Sequence, residues 1–407
     1  MYTPSSLTET GTMIHRIQSP LLAIFGFVLP LSVALGNMVA IIITLLWLAK
    51  GDHKADWEQL KRNPVVISIL CYYLLHIIGL VWTKDIASGL HILKKQSIVL
   101  LLPIFMCFTK KEDTKRYIFS FLFAIAITIA ISFAIWFQVI PPTANAKVSD
   151  PTPFMSHISH NPFLTVALYL VLYLLLFDRT ITNKQKIALL IFAIALNINM
   201  FITGGRAGQV MYFFMLAILL FQYFHKKLIK AVIATTVTIP LILLVVYNTS
   251  NIFSNRIKDA ITDIKEYDDD KNTNVGLRLA FTTNSFDIIK NNPVIGVGTG
   301  DFNLEYEKVN TRKTPQLPAT KNPHNMYVLE MVQLGILGLL SLLSILGSQF
   351  YQARKPSSHL QKSMGIALPF LFGIIMFSDA YLRGHYTTML FVYFSSFLYK
   401  NYDEETN

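Results

Sequence analysis

The chain has 407 residues, 53% of them hydrophobic and only 14% charged, where soluble domains carry roughly a quarter charged residues. The apolar residues come in long unbroken blocks, which points to a polytopic helical membrane protein; the alternating strands of about ten residues that a transmembrane barrel needs are absent. The formal net charge is +11, but the basic residues fall in short clusters between apolar blocks, so membrane topology accounts for them better than nucleic acid does.

The first residues, to about Gln18, are polar and read as a short cytoplasmic segment. Residues 20–35 form the first apolar block. Its end, Ser32-Val33-Ala34-Leu35-Gly36, imitates a signal-peptide cleavage site, but 38–48 continues as a second short span, so an uncleaved first helix is expected. Further blocks follow at 64–82, 88–108, 117–139, 162–177, 187–203, 209–224, 231–247, 326–350, 363–381 and 386–399. This gives about twelve spans, several shorter than the ~20 residues usually needed. Pro30, Pro103, Pro240 and Pro369 lie inside spans, where neighbouring helices re-satisfy the freed backbone groups. Cys71 and Cys107 both sit in apolar blocks and read as small buried hydrophobes rather than a disulfide or metal site.

Lys and Arg set the orientation. One series of short connections holds Lys50, Lys54, Lys61 and Arg62; Lys110, Lys111, Lys115 and Arg116; Arg179, Lys184 and Lys186; Lys226, Lys227 and Lys230; and Arg354, Lys355 and Lys362. The alternate short connections hold only Lys84, Lys147, Arg206 and Arg383. The asymmetry places both termini in the cytoplasm and the long polar stretch 248–325 on the opposite face. The chain thus divides into spans one to nine (1–247), a large outer loop (248–325), and spans ten to twelve with a cytoplasmic tail (326–407).

In the loop, Asp268-Asp269-Asp270 resembles the acidic clusters that bind metal in sugar-nucleotide transferases, but no Gly-spaced calcium pattern accompanies it and a solvated turn is the better reading. From Gly276, the residues Leu277, Phe281, Ile288 and Ile289 recur at helical spacing until Asn291-Asn292-Pro293, which predicts an amphipathic helix on the membrane surface. Gly296-Val297-Gly298-Thr299-Gly300 then makes a tight turn, without the flanking strand and helix of a dinucleotide fingerprint.

Charged residues near membrane depth are functional candidates. Arg206 lies in the tight turn Thr203-Gly204-Gly205-Arg206-Ala207-Gly208, and Arg278 opens the amphipathic helix; either can also be an interfacial charge that meets headgroups. His324 sits between Pro323 and Asn325 where the chain re-enters the membrane. A lone His there is usually a polar anchor. With two Arg on the same face it becomes a candidate base, its ordinary pKa of about 6.5 suiting proton abstraction, while two guanidiniums can grip a diphosphate.

Four pieces occur in order: Thr203-Gly-Gly-Arg-Ala-Gly, Gly276-Leu-Arg, Asn292-Pro-Val-Ile-Gly-Val-Gly-Thr-Gly-Asp-Phe302, and Pro323-His-Asn-Met-Tyr-Val-Leu. In these the chain resembles the O-antigen ligase (WaaL) family, within the O-antigen ligase/polymerase group. The motif-level match runs from about 200 to 335, and the topology agrees throughout. The resemblance implies transfer of a finished glycan from undecaprenyl diphosphate to a sugar hydroxyl of lipid A–core at the periplasmic face of the bacterial inner membrane. It implies an inverting reaction with no metal or other cofactor, His324 as base, and Arg206 and Arg278 on the donor diphosphate. Asn325 of the His-Asn piece is placed with the substrate-binding residues.

Other residues on the outer face are candidates for assistance. Either histidine of Ser156-His157-Ile158-Ser159-His160-Asn161, with His160 placed among the substrate-binding residues, and Lys94 and Lys95, which interrupt a span, are candidates for substrate contact; loop packing and snorkelling are the competing accounts. Asp379 and Arg383 are read as a pair at helical spacing. The expected fold is an all-α integral membrane protein of about twelve transmembrane helices with one large, partly helical periplasmic loop. The partners expected are the lipid-linked donor, the lipid A–core acceptor and membrane lipids, with no nucleic acid. A polymerase, using a lipid-linked glycan as acceptor, is the alternative enzyme; the short 140–161 connection favours the ligase. A protein O-oligosaccharyltransferase is a further relative. A transporter would show internal symmetry and charges repeated within spans, and neither is evident.

Overall fold

The computed structural model describes residues 9–144, 146–267, 269–355 and 358–402. Among the described residues the regular structure is helical. The chain begins with α1 (Glu9–Val28), α2 (Val33–Lys50), the short α3 (His53–Leu60) and α4 (Pro64–Ile78). A broken stretch follows, with α5 (Ile86–Gln96) and α6 (Leu101–Phe108) joined through a 3₁₀ turn at Ser97–Leu100. Then come α7 (Thr114–Trp136), α8 (His157–Phe177), α9 (Asn183–Ile202), α10 (Arg206–Tyr223) and α11 (Leu228–Thr249). The polar stretch folds as α12 (Asn251–Lys265), α13 (Asn274–Asn291) and α14 (Phe302–Lys313), and α15 (Met326–Gln352), α16 (His359–Ile375) and α17 (His385–Leu398) complete the chain.

Among the described residues, eight stretches are long and apolar enough to cross a membrane: Val33–Lys50, Pro64–Trp82, Ile86–Phe108, Thr114–Trp136, His157–Phe177, Asn183–Ile202, Leu228–Thr249 and Met326–Gln352. Arg16–Val28 and His359–Ile375 are shorter apolar helices. Eight is fewer than the twelve blocks read from the sequence, although a helix lies in each block. The shortfall has a physical reason in α17, which has 14 residues. Every residue from Thr387 to Leu398 is buried in protein, so its length need not match the thickness of a hydrocarbon layer. By contrast α11 exposes Leu228, Ile229, Val232, Ile233, Val237, Leu241, Leu244 and Val245, a continuous apolar face that suits lipid and not water.

Successive helices run up and down, so alternate connections gather at the same end. At one end Tyr173 Oη lies 2.6 Å from His359 Nδ1, Lys115 pairs with Asp178 at 3.0 Å, and Lys400 Nζ donates to the Thr109 carbonyl at 3.0 Å. At the other, Asp150 accepts the Gly204 N–H at 2.9 Å, Ser250 Oγ donates to the Phe201 carbonyl at 2.7 Å, and Tyr386 Oη donates to the Phe154 carbonyl at 2.9 Å. The second end carries the polar segment and the candidate site.

The glycine-rich turn at 296–300 explains how broken helices survive beside it. Helix α15 kinks at Gly335, which adopts φ 60°, ψ −151°, a backbone region open essentially to glycine alone. The kink frees carbonyls, and the turn fills them: Val297 N–H donates to Val332 O and Gly298 N–H to Gln333 O, both at 2.9 Å. The Gly300 N–H is received by Gln333 Oε1 at 3.0 Å. On its other side Thr299 Oγ1 donates to the His76 carbonyl at 2.7 Å, where α4 ends, and Asp301 accepts the N–H groups of Lys84 and Asp85 at 2.7 and 2.9 Å, where α5 begins. A β-carbon on Gly298 would meet the Thr83 backbone at 2.8 Å. The motif is therefore a clamp that joins the breaks in α4–α5 and α15.

Two sequence expectations change here. Helix α13 does not simply rest on a membrane surface: Phe281, Ile288 and Ile289 are buried and the helix packs on α14 and α15. The polar stretch is partly helical, with α12 and α14 flanking α13. Cys71 is exposed and Cys107 buried, and both are free thiols. Of the acidic run, Asp268 lies outside the described residues, and Asp269 and Asp270 belong to the turn that links α12 to α13.

Candidate active site

The Thr203–Gly208 turn is shaped by Asn161 on α8. Thr203 Oγ1 donates to Asn161 Oδ1 at 2.7 Å, and Asn161 Nδ2 donates to the Gly205 carbonyl at 3.1 Å. Any β-carbon on Gly205 or Gly208 would meet Asn161 within 2.7 and 2.2 Å, so the turn sits directly on α8 and fixes Arg206 as the first residue of α10. Asp150 holds the same turn from outside, accepting Gly204 N–H through Oδ1 while Oδ2 lies 2.6 Å from His157 Nδ1. Burial pushes the Asp150 carboxyl up, but His157 and the Gly204 N–H outweigh it and hold it below its ordinary value.

Arg206 opens into a cavity of about 120 Å³ together with Arg256 of α12 and Arg278 of α13. His157, Asn274, Asp379 and Tyr381 complete most of its wall. None of the three guanidiniums forms an ion pair among the described residues. Arg206 Nη2 is buried with no hydrogen-bond partner among the described residues. Three guanidiniums facing one small space, with Asp379 as the carboxylate on its wall, leave a net positive cavity of the kind that suits a multiply charged anion.

His324 lies just before α15 with φ 54°, an uncommon conformation for a residue with a side chain. Two contacts hold it there. Its N–H donates to Asn322 Oδ1 at 3.0 Å, and its ring stacks on Phe281 of α13 at 6.2 Å between centroids. Its Nδ1 lies 3.3 Å from Asp379 Oδ2, while Asn322 Nδ2 donates to Asp379 Oδ1 at 2.5 Å. Burial raises the Asp379 carboxyl, but hydrogen bonds from His324, the Ala380 N–H and Asn322 bring it below its ordinary value. Asp379 in turn lines the arginine cavity. His324 lines no part of that cavity and reaches it through Asp379.

A second cavity, of about 310 Å³, adjoins the first along Ile158, Asp379 and Tyr381. Lys95, Lys321, Asn322 and Arg383 lie on its wall.

The structure therefore brings Arg206, Arg278 and Lys95 to one polar centre, with His324 tied to it. It does not bring His160, Lys94 or Asn325. His160 is 1% exposed and its Nε2 lies 2.9 Å from Asn199 Oδ1; it is a satisfied core residue, and His157 is the one at the cavity. Lys94 is exposed and lines neither cavity. Asn325 uses its side-chain oxygen to accept the Val328 N–H at 3.1 Å, capping α15. Asp379 and Arg383 are not a helical pair, because α16 ends at Ile375 and residues 376–384 are turns.

Sequence reasoning missed Arg256 and the role of Asp150. It also missed a buried polar network beneath the second cavity. Glu330, fully buried on α15, accepts from Tyr72 Oη at 3.0 Å and faces His76 Nε2 at 3.2 Å, and Gln96 Nε2 donates to Tyr72 Oη at 3.1 Å. The signal was present: Glu330 is the one acid in its apolar block.

A chain of many long apolar helices is a multi-pass membrane protein, and this one carries a cluster of cations and His–Asp pairs at one end of the bundle. Residues 188–343 match the family model described as O-antigen ligase, which supports membership of that family. The matched segment spans α10 to α14 entire and contains Arg206, Arg256, Arg278, the glycine clamp and His324. Members of that family are membrane glycosyltransferase-like enzymes of the ligase or polymerase type. No curated protein matches the chain.

Proposed function

We propose that the protein is an O-antigen ligase that transfers a glycan from undecaprenyl diphosphate to a sugar hydroxyl of lipid A–core at the periplasmic face of the inner membrane. One observation carries the reading: three unpaired arginines share a cavity with Asp379, and Asp379 holds His324. The donor diphosphate occupies Arg206, Arg256 and Arg278. A neutral imidazole that donates its Nδ1–H to Asp379 leaves Nε2 as the basic nitrogen. That nitrogen takes the proton of the acceptor hydroxyl as its oxygen attacks the anomeric carbon. The bond from that carbon to the phosphate oxygen breaks, the configuration inverts, and the electron pair leaves on the diphosphate. The guanidiniums meet charge that grows as the bond breaks. No metal or other cofactor enters this scheme.

The topology follows the same reading. The basic connections, with Lys115, Lys355 and Lys400, face the cytoplasm, and 248–325 is the periplasmic loop. All twelve apolar blocks, including the short helices α16 and α17, then count as spans.

Deletion of the gene followed by lipopolysaccharide gel analysis tests the function. Loss of the long ladder while undecaprenyl-linked polymer accumulates is expected. A ladder shortened to one repeat unit would instead make the protein a polymerase.

A further inference from the structure

The second cavity lies on the other side of Asp379 from the arginines, and its wall is also cationic. Lys95 and Lys321 are exposed, Arg383 is half-buried, and none of the three forms an ion pair among the described residues. The one carboxylate on the wall, Asp379, is already engaged by Asn322 and His324. Lys95 is presented from a fixed turn, because the next residue, Gln96, is fully buried and bonded to Tyr72 of α4. Lys321 precedes Asn322, which is bonded to Asp379. Both lysines are thus held near the base without belonging to the arginine cavity.

An inverting displacement needs the nucleophile and the leaving group on opposite sides of the reacting carbon. If the arginine cavity takes the leaving diphosphate, the adjoining space is where the nucleophile approaches. Resting on the function proposed above, we propose that this second cavity is the acceptor subsite and that it recognises anionic substituents of the acceptor glycan, either phosphate monoesters or sugar-acid carboxylates, close to the hydroxyl that is glycosylated. Lys95 and Lys321 would hold those anions, and Arg383 would complete the positive wall. A lipid-linked neutral glycan gains nothing from such a wall.

The test uses the full chain purified into nanodiscs, with an undecaprenyl-diphosphate glycan as donor. Three preparations of a rough lipopolysaccharide serve as acceptor: native, dephosphorylated, and native with its carboxyls amidated. The double variant Lys95→Gln/Lys321→Gln should raise KM for the native acceptor by about tenfold or more, as expected for loss of at least one charge-assisted contact, and leave KM for the donor unchanged. One chemically neutralised acceptor should show the same rise with the unaltered protein, and the variant should lose nothing further on it. Which preparation does so identifies phosphate or carboxylate. A neutralised acceptor used as well as the native one, or a variant that shifts the donor KM instead, overturns the proposal. Acceptor binding without donor separates the two readings. If native acceptor binds, the variant weakens it, and yet no glycan is transferred, the proposed transfer fails and the anion subsite stands. If transfer is normal and the lysines are immaterial, the subsite falls and the transfer stands.

Discussion

The Nδ1 atom of His324 lies 3.3 Å from Asp379 Oδ2, although 55 residues separate them in sequence. The contact joins the start of α15 to the turn between α16 and α17. It gives the imidazole a defined orientation and connects it, through the carboxylate, to the wall that carries Arg206, Arg256 and Arg278. Asn322 braces both partners, accepting the His324 N–H and donating to Asp379.

Replacing His324 by Ala removes the proposed base, and glycan transfer should fall by about 10²–10⁴-fold, the usual contribution of general-base catalysis. Asp379→Asn keeps the shape but changes which ring nitrogen is protonated and how firmly the ring is held. It should cost about 10²-fold, the scale of a misplaced catalytic group. His157→Ala should behave differently, raising the donor KM more than it lowers kcat, because His157 is bonded to the Asp150 that holds the Arg206 turn. Steady-state kinetics on the three variants checks the assignment. If His157→Ala abolishes turnover while His324→Ala does not, the base is the other imidazole.

The Asp379 carboxyl sits below its ordinary value because its hydrogen bonds outweigh burial. A group of this kind contributes stability that is fully present above its unfolded pKa of about 3.9, and this is lost as pH falls through the lower folded value. Asp379→Asn should therefore lower the melting temperature in detergent at neutral pH, and the gap to the unaltered protein should close as the pH drops below about 4. A gap that stays constant down to pH 3 would mean that the carboxylate charge contributes nothing.

The sequence was most legible where local rules suffice. A helix lies in every apolar block. Legibility failed where tertiary packing decides. Arg256 is one charge among several on a polar helix, next to Lys258 and Asp259, and only the placement of α12 turns it toward the other arginines. Asp379 was mistaken for a helical partner of Arg383 because Ile374-Ile375-Met376-Phe377 stays apolar past the point where α16 ends. His160 and His157 lie three residues apart on the first turn of α8, and sequence alone did not say which one faces the core.

The three arginines differ in how they are held, which predicts a graded response. Arg206 follows a turn packed tightly on Asn161, and one of its nitrogens is buried without a partner among the described residues. Arg278 is exposed. Charge-assisted hydrogen bonds contribute about 1.5–3 kcal/mol, so each Arg→Ala change should raise the donor KM by roughly 10- to 100-fold. Arg206 should be the most sensitive. Arg206→Lys should recover little, because an ammonium lacks the fork that grips two oxygens, whereas Arg278→Lys should recover more. Donor titrations with each pair of variants give the ranking, and equal recovery at both positions would refute the graded arrangement.

Two glycines nine or more residues into α15 should respond oppositely to the same substitution. Gly335 has φ 60°, ψ −151°, and a β-carbon there would lie 2.3 Å from the Val294 carbonyl oxygen. Ala at this site meets both a forbidden backbone region and a backbone neighbour that cannot yield without opening the clamp at 293–300. Gly347 is helical, and a β-carbon there meets nothing within 4 Å. Alanine at that position replaces the poorest ordinary helix former by the best, a gain of up to about 1 kcal/mol. Gly335→Ala should therefore cut expression and melting temperature sharply, while Gly347→Ala should leave them equal or higher. Because the clamp also fixes the start of α5, which carries Lys95, any Gly335→Ala protein that does fold should show a raised acceptor KM. A folded variant with unchanged stability and kinetics would mean that the kink in α15 does not depend on this glycine.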